Sequence, residues 1–319
     1  MRLFDLHCDT AGECFNRKIP LLKNDLHISL CKGNCLDSWT QIFAIWIPDN
    51  LRGEKAREYF FSVLENFKAE TELNCSKIEL CQRITDIEPT LNSGKCAAIL
   101  ACEGASPFAF DGGIQLAFDC GVKLITLTWD GENEVGFGCK SGSENGLKPL
   151  GKSMLSEMAR LGIAADVSHL NRAGFYDAAD TPAKLLASHS NSKSVLERTR
   201  ADGDAKDFSC RRSLDDEQIK LLIERNGLIG LNFYRSFLGD DGDDGFEAIY
   251  RHASYMLYLG AENTLAIGSD FDGCEINGEL AGIDKIPLLR DYLSRKGFDD
   301  ALLDKIFFEN AVNFFENLA

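Results

Sequence analysis

Apolar residues fall along the chain in short, nearly continuous runs separated by longer amphipathic stretches. Runs bounded by turn or polar residues mark eight strands: Arg2–Leu6, Gln41–Ile47, Cys96–Cys102, Leu124–Thr128, Ile163–Val167, Lys184–Ala187, Leu228–Asn232 and Leu265–Gly268. Helical spacing of apolar positions recurs between them, over Glu54–Asn74, Gly113–Cys120, Lys152–Leu161, Arg172–Ala179, Leu214–Arg225 and Phe246–Leu259. A strand that is apolar at consecutive positions is covered on both faces, as in a parallel sheet. Eight strand–helix units in one chain therefore predict an α/β protein with a closed (β/α)8 TIM-type barrel, with an open doubly wound sheet as the alternative. Ile286–Arg295 and Asp299–Leu318 read as extra C-terminal helices packed on the outside. No linker, repeat or low-complexity tract interrupts the pattern, so residues 1–319 are expected to form a single domain.

Charge then narrows the partners. Fifty acidic against 34 basic residues give a formal charge of −16, which repels phosphate backbones and anionic lipid. Nucleic acid and membranes are not expected partners. No basic, apolar leader pattern opens the sequence and no apolar span is long enough to cross a bilayer, so a cytoplasmic protein is expected. The 12 cysteines read as free thiols of a reducing compartment, and Cys31 and Cys35 have no second pair at zinc-knuckle spacing. The acidic run 239–245 lacks EF-hand spacing, with Arg251 where the bidentate Glu would stand, and reads as a solvated loop. Gly136, Gly138 and Gly142 around Lys140 fit neither the dinucleotide nor the Walker pattern.

A barrel of this kind carries its active site at the C-terminal ends of its strands. Residues able to bind metal or carry protons stand there. His7 and Asp9 follow the first run, two apart and so on one side of an extended chain. Glu103 follows the third run, His169 the fifth, His189 the sixth and Asp270 the eighth. The other two of the five histidines, His27 and His252, read as surface or packing residues. Three imidazoles and three carboxylates suffice for two divalent ions with one bridging carboxylate, for which Glu103 is the candidate. Such a pair can hold a hydroxide and polarise a carbonyl, which is hydrolytic chemistry. Any one of the six could be an ordinary hydrogen-bonded strand end. Their shared location argues for function.

The motifs Asp5-Leu6-His7-Cys8-Asp9-Thr10, Glu103-Gly104, Leu124-Ile125-Thr126-Leu127-Thr128 and Gly146-Leu147-Lys148-Pro149-Leu150-Gly151 occur in order. The segment from Met158 to His169, then Ser188-His189-Ser190-Asn191 and Ile267-Gly268-Ser269-Asp270-Phe271-Asp272-Gly273, complete the series. In these the chain resembles the renal (membrane) dipeptidase family of zinc peptidases, peptidase family M19, among the amidohydrolase-like barrels. The resemblance implies a dipeptide substrate, a homodimer and two zinc ions. One zinc would be held by His7, Asp9 and Glu103 and the other by Glu103, His169 and His189, with Asp270 beside them handling the proton. Two departures stand out. Trp129 occupies the position where the family has a substrate-contacting histidine, and it can donate a hydrogen bond but neither titrate nor bind metal. The family's carboxylate-binding arginine falls on Arg200 by distance from His189, but on Arg212 by its local motif. We favour Arg212, because the stretch 201–209 reads as a loop insertion. Two other readings are weighed: hydrolysis of a cyclic amide, lactone or amidine on the same metal pair, favoured by Trp129, and a non-catalytic, metal-dependent peptide-binding protein.

Overall fold

The computed structural model describes residues 1–199, 208–239 and 244–318. Arg200, most of the expected insertion and residues 240–243 of the acidic run lie outside the described residues. All eight expected strands are present as β1 Arg2–Cys8, β2 Ser38–Trp46, β4 Cys96–Glu103, β5 Val122–Thr126, β6 Ala164–Asp166, β7 Leu185–Ala187, β8 Leu228–Leu231 and β9 Leu265–Ile267. A ninth strand, β3 Ile78–Leu80, was not anticipated. Every pairing between these strands is parallel. The order β2-β1-β9-β8-β7-β6-β5-β4 closes through a β2–β4 pairing, and β3 adds to the outside of β4. The architecture is the expected (β/α)8 barrel.

Alternation along the strands sorts side chains into two populations. On β4, Ala98, Leu100 and Cys102 belong to the apolar layer beneath the helices, and Ala97, Ile99 and Ala101 to the barrel interior. The period of two carries Glu103 onto the inward row, at the mouth. The same parity runs from Ala164 to Asp166 on β6 and from Leu186 to Ser188 after β7. Apolar residues therefore fill the lower barrel and polar ones its upper rim. At the N-terminal end, Phe4 stacks on Phe315 with ring centres 5.4 Å apart, so the last helix plugs the barrel floor.

The helices depart from expectation in detail. Gly53–Leu73, Gly113–Asp119, Arg172–Ala179 and Ile286–Arg295 agree within a residue or so. The helix expected from Leu214 begins instead at Asp216, where Asp215 and Gln218 form a reciprocal capping box. Phe208 and Ser209, expected in a loop insertion, start a short helix, Phe208–Arg212. The C-terminal helix is not uniform: it passes through a π-turn over Lys305–Glu309 between Asp300–Asp304 and Asn310–Glu316. Among the described residues, no helix is long and apolar enough to cross a membrane.

Candidate metal centre

The strand exits bring His7, Asp9, Glu103, His169, His189 and Asp270 to one point. His7 Nε2 lies 3.4 Å from Asp9 Oδ2 and 3.5 Å from Glu103 Oε2. The other Glu103 oxygen lies 3.0 Å from His169 Nε2 and 3.7 Å from His189 Nε2. One carboxylate thus faces all three imidazoles, one oxygen to each side. Donor atoms of His7, Glu103 and His189 form one group within 4.8 Å of one another, and those of His7, Asp9 and Asp270 form a second. Backbone geometry contributes to the convergence. His169 and Asp270 sit at φ 69° and 61°, left-handed positions uncommon for residues with a side chain and concentrated at functional sites. Gly273 permits the close approach, since a Cβ there would lie 2.1 Å from Asp9 Oδ2 and 2.6 Å from Asp270 Oδ1.

Supporting residues set which imidazole nitrogen faces the cluster. Ser188 Oγ donates to Asp166 Oδ2 at 2.6 Å, so the 2.6 Å contact of His189 Nδ1 with that hydroxyl is donated by the ring. His189 Nε2 keeps its lone pair. Asp166 is held in turn by Thr126 Oγ1 and by the Ser168 and Ser188 amides. His169 Nδ1 donates to Asp130 Oδ1 at 2.7 Å, again leaving Nε2 as the ligand atom. Both His7 nitrogens and Asp9 Oδ1 are buried without a hydrogen-bond partner. Buried polar atoms are nearly always paired, so these orphans mark places for a ligand. The donors, nitrogen and carboxylate oxygen on a buried floor, fit divalent metal ions.

Electrostatics supports that fit. Burial opposes charge on Glu103, yet His7 and His169 outweigh it and hold the carboxyl well below its usual range. Burial likewise opposes charge on His7, but Glu103 and Asp9 raise it well above an ordinary histidine. His189 is pushed well down by burial and by the neighbouring cations His7 and Arg212. Burial raises Asp9 and Asp270. These opposing shifts arise from imidazoles and carboxylates crowded together out of water, a condition that bound positive charge relieves.

A cavity of about 370 Å³ opens over the cluster. Half-buried Trp129 lines it, edge-on to Trp46 with ring centres 5.0 Å apart. The Trp46 indole nitrogen is buried and unpartnered, and this residue was not anticipated. Arg212 is buried behind His189: its Nη atoms donate to Ser190 Oγ at 2.8 Å and the His189 carbonyl at 3.0 Å, and it lines an adjoining cavity. Asn232 donates to Asp270 Oδ2 at 3.0 Å, leaving Oδ1 toward the cluster. His27 is more than a surface residue, because its backbone amide and ring nitrogen both bond Asp272 and fix the loop after β9. His252 is a packing residue, with Nδ1 accepting from the Ser192 amide and Nε2 facing the Leu238 carbonyl. Sequence reading gave no role to Asp130, Lys140 or Asn232: Asp130 and Lys140 lie in the loop after β5, where no periodicity directs a side chain, and Asn232, the last residue of an expected strand, stands just past the end of β8. Asp166 could have been found, since it shares the inward parity of Ala164 and stands three residues before His169.

Comparison with known proteins gives a consistent picture. The sequence model described as membrane dipeptidase (peptidase family M19) matches residues 1–319. An uncharacterized protein in the pqqA 5′ region of Klebsiella pneumoniae is 29% identical over 257 residues, 77% of this chain and 90% of that protein. A dipeptidase of Claviceps purpurea is 24% identical over 249 residues, 76% of this chain and 55% of that protein. Among solved structures, a Rhodobacter sphaeroides metallopeptidase liganded with a phosphinate mimic of L-Ala-D-Ala superposes with a TM-score of 0.89. It is 25% identical, covering 100% of this chain and 99% of that one.

Proposed function

The chain belongs to the membrane dipeptidase family, peptidase family M19, and from that premise we propose that it is a binuclear zinc dipeptidase, one hydrolase domain over residues 1–319. The observation that carries this reading is Glu103, one of whose oxygens faces His7 beside Asp9 while the other faces His169 and His189. In this reading His7, Asp9 and Glu103 hold one ion, and Glu103, His169 and His189 hold the other. Mixed imidazole and carboxylate donors suit zinc. A divalent pair, when bound, polarises a substrate carbonyl and brings the pKa of a water towards neutrality.

The chain's own residues do the rest. Asp270, held through Oδ2 by Asn232, accepts a proton at Oδ1 from the attacking water and passes it to the leaving amine. Burial, which raises its pKa, suits a group that must both take and give a proton near neutrality. Arg212 binds the dipeptide's terminal carboxylate, a role supported by its buried and unpartnered Nε. Trp129 and Trp46 pack against the substrate, and the unpartnered Trp46 N–H is available to the carbonyl oxygen. The edge-on indole wall also favours a second reading, hydrolysis of a flat cyclic amide on the same donors.

The test is metal content per chain on protein purified without chelator, together with hydrolysis of L,L and L,D dipeptides. L-Ala-D-Ala is included because the Rhodobacter sphaeroides metallopeptidase was solved with its phosphinate mimic. Two zinc ions and dipeptide cleavage are expected. Two metals without cleavage would transfer the site to the cyclic-amide reading, and protein free of metal would remove the basis of both.

A further inference from the structure

Among the described residues lining the cavity over the cluster, Lys140 is the one lysine or arginine, in a wall otherwise rich in acidic and aromatic groups. Its ammonium lies 2.8 Å from Asp130 Oδ2, 3.8 Å from the centre of the Phe208 ring and 5.8 Å from that of Trp129. Asp130 engages one of its three N–H donors, and two remain for a ligand. Asp130 itself is shared, because its other oxygen accepts from His169. Arg212, the second cation of this corner, is bonded to a hydroxyl and a carbonyl rather than to a carboxylate. Among the described residues, the corner therefore sets two fixed cations against the one carboxylate of Asp130, an imbalance that an incoming anion corrects. Across the mouth, Glu13 on the helix Thr10–Arg17 after β1 lines the same cavity. β1 lies three strands around the eight-stranded barrel from β5, whose exit loop carries Lys140. The cavity has a cationic pole and an acidic pole with the donor cluster on its floor.

Building on the dipeptidase reading, we propose that Lys140 is a specificity-determining residue that binds a carboxylate of the substrate, held in place by Asp130 and flanked by Phe208 and Trp129. The carboxylate is either the dipeptide's terminus, shared with Arg212, or an acidic side chain, and the two sources are separable.

The experiment compares the metal-loaded full chain with Lys140→Met and Lys140→Arg on Ala-Ala, Ala-Ala amide and Ala-Glu. Losing a charge-assisted hydrogen bond should lower kcat/KM about tenfold through KM for carboxylate substrates, with most of the loss restored in Lys140→Arg. If the terminus is read, Ala-Ala and Ala-Glu lose alike and the amide responds to Lys140→Met much less. If a side chain is read, Ala-Glu loses about tenfold more than Ala-Ala. Equal loss on all three substrates, or loss of metal from Lys140→Met, would assign Lys140 to support of Asp130 and His169 and overturn the proposal. Should the wild-type protein cleave none of them, the dipeptidase reading fails by itself. Calorimetry with glutarate on the same metal-loaded proteins then decides the Lys140 site: about tenfold weaker binding in Lys140→Met sustains it, and unchanged binding removes it.

Discussion

Asp270 combines three properties on one residue: a left-handed backbone at φ 61°, a raised pKa from burial, and one oxygen fixed by Asn232 while the other faces the cluster. Asparagine tolerates the same backbone and nearly the same volume but cannot take up or release a proton. Asp270→Asn should therefore keep most of the metal, measured per chain, while turnover falls by roughly two to four powers of ten. Near-normal turnover in that variant would exclude Asp270 as the proton carrier. The residues around it were unequally legible. His7, Glu103, His169 and His189 could be read because each follows an apolar run, and a barrel orders its exits on one face. Asp130, which orients His169, stands in a loop after β5 where no period constrains the direction of a side chain. Its neighbour Trp129 drew attention by departing from a family motif, whereas Asp130 offered no such signal.

At the scale of elements, the barrel's narrowest packing lies where β7, β8 and β9 meet. A Cβ at Gly230 would lie 1.9 Å from the Ser188 carbonyl oxygen, and one at Gly268 would lie 1.8 Å from it. Both positions are inward-facing by parity, so the Ser188 carbonyl just beyond β7, next to His189, is packed against bare backbone on β8 and, one strand further, at the end of β9. Gly268→Ala should push β7 away from β9, destabilise the protein by about 1–3 kcal/mol or more in urea unfolding, and lower metal occupancy by moving His189. An unchanged midpoint would show that the strands separate without cost. The need for glycine at these positions was invisible in the sequence, because it arises from backbones brought together by closure. The strands themselves were legible, since runs such as Cys96–Cys102 are apolar throughout. β3 was not, because Ile78–Leu80 has an acidic residue at its centre and only three residues. The π-turn at Lys305–Glu309 was equally hidden, as its apolar positions continue the helical spacing on either side.

For the whole molecule, acid stability is the net result of buried groups pulling in opposite directions. Burial raises Asp5 and Asp270, so these carboxyls favour the folded chain at low pH and lose that contribution as pH rises. His252 acts the other way. Fully buried on the helix Gly245–Tyr258 and flanked by the Ser192 amide and the Leu238 carbonyl, it is pushed down by burial to about 3 from an ordinary 6.5. The unfolded chain therefore binds the extra proton first as pH falls. Its contribution is complete above pH 6.5 and is withdrawn between there and pH 3. At pH 5 the loss amounts to about 2 kcal/mol, from 1.36 kcal/mol per pH unit. His252→Asn retains an acceptor for the Ser192 amide but cannot titrate. Urea unfolding at pH 7 and pH 5 should show the wild-type protein losing about 2 kcal/mol more than the variant across that interval. Parallel losses would mean that His252 titrates alike in both states, and the acid limit of the fold would then rest on the carboxylates that strong partners depress. Asp130, which His169, Lys140 and Arg212 hold low against its burial, is one of these, and Glu103 is another. In that case acid would loosen the barrel mouth before the helices around it.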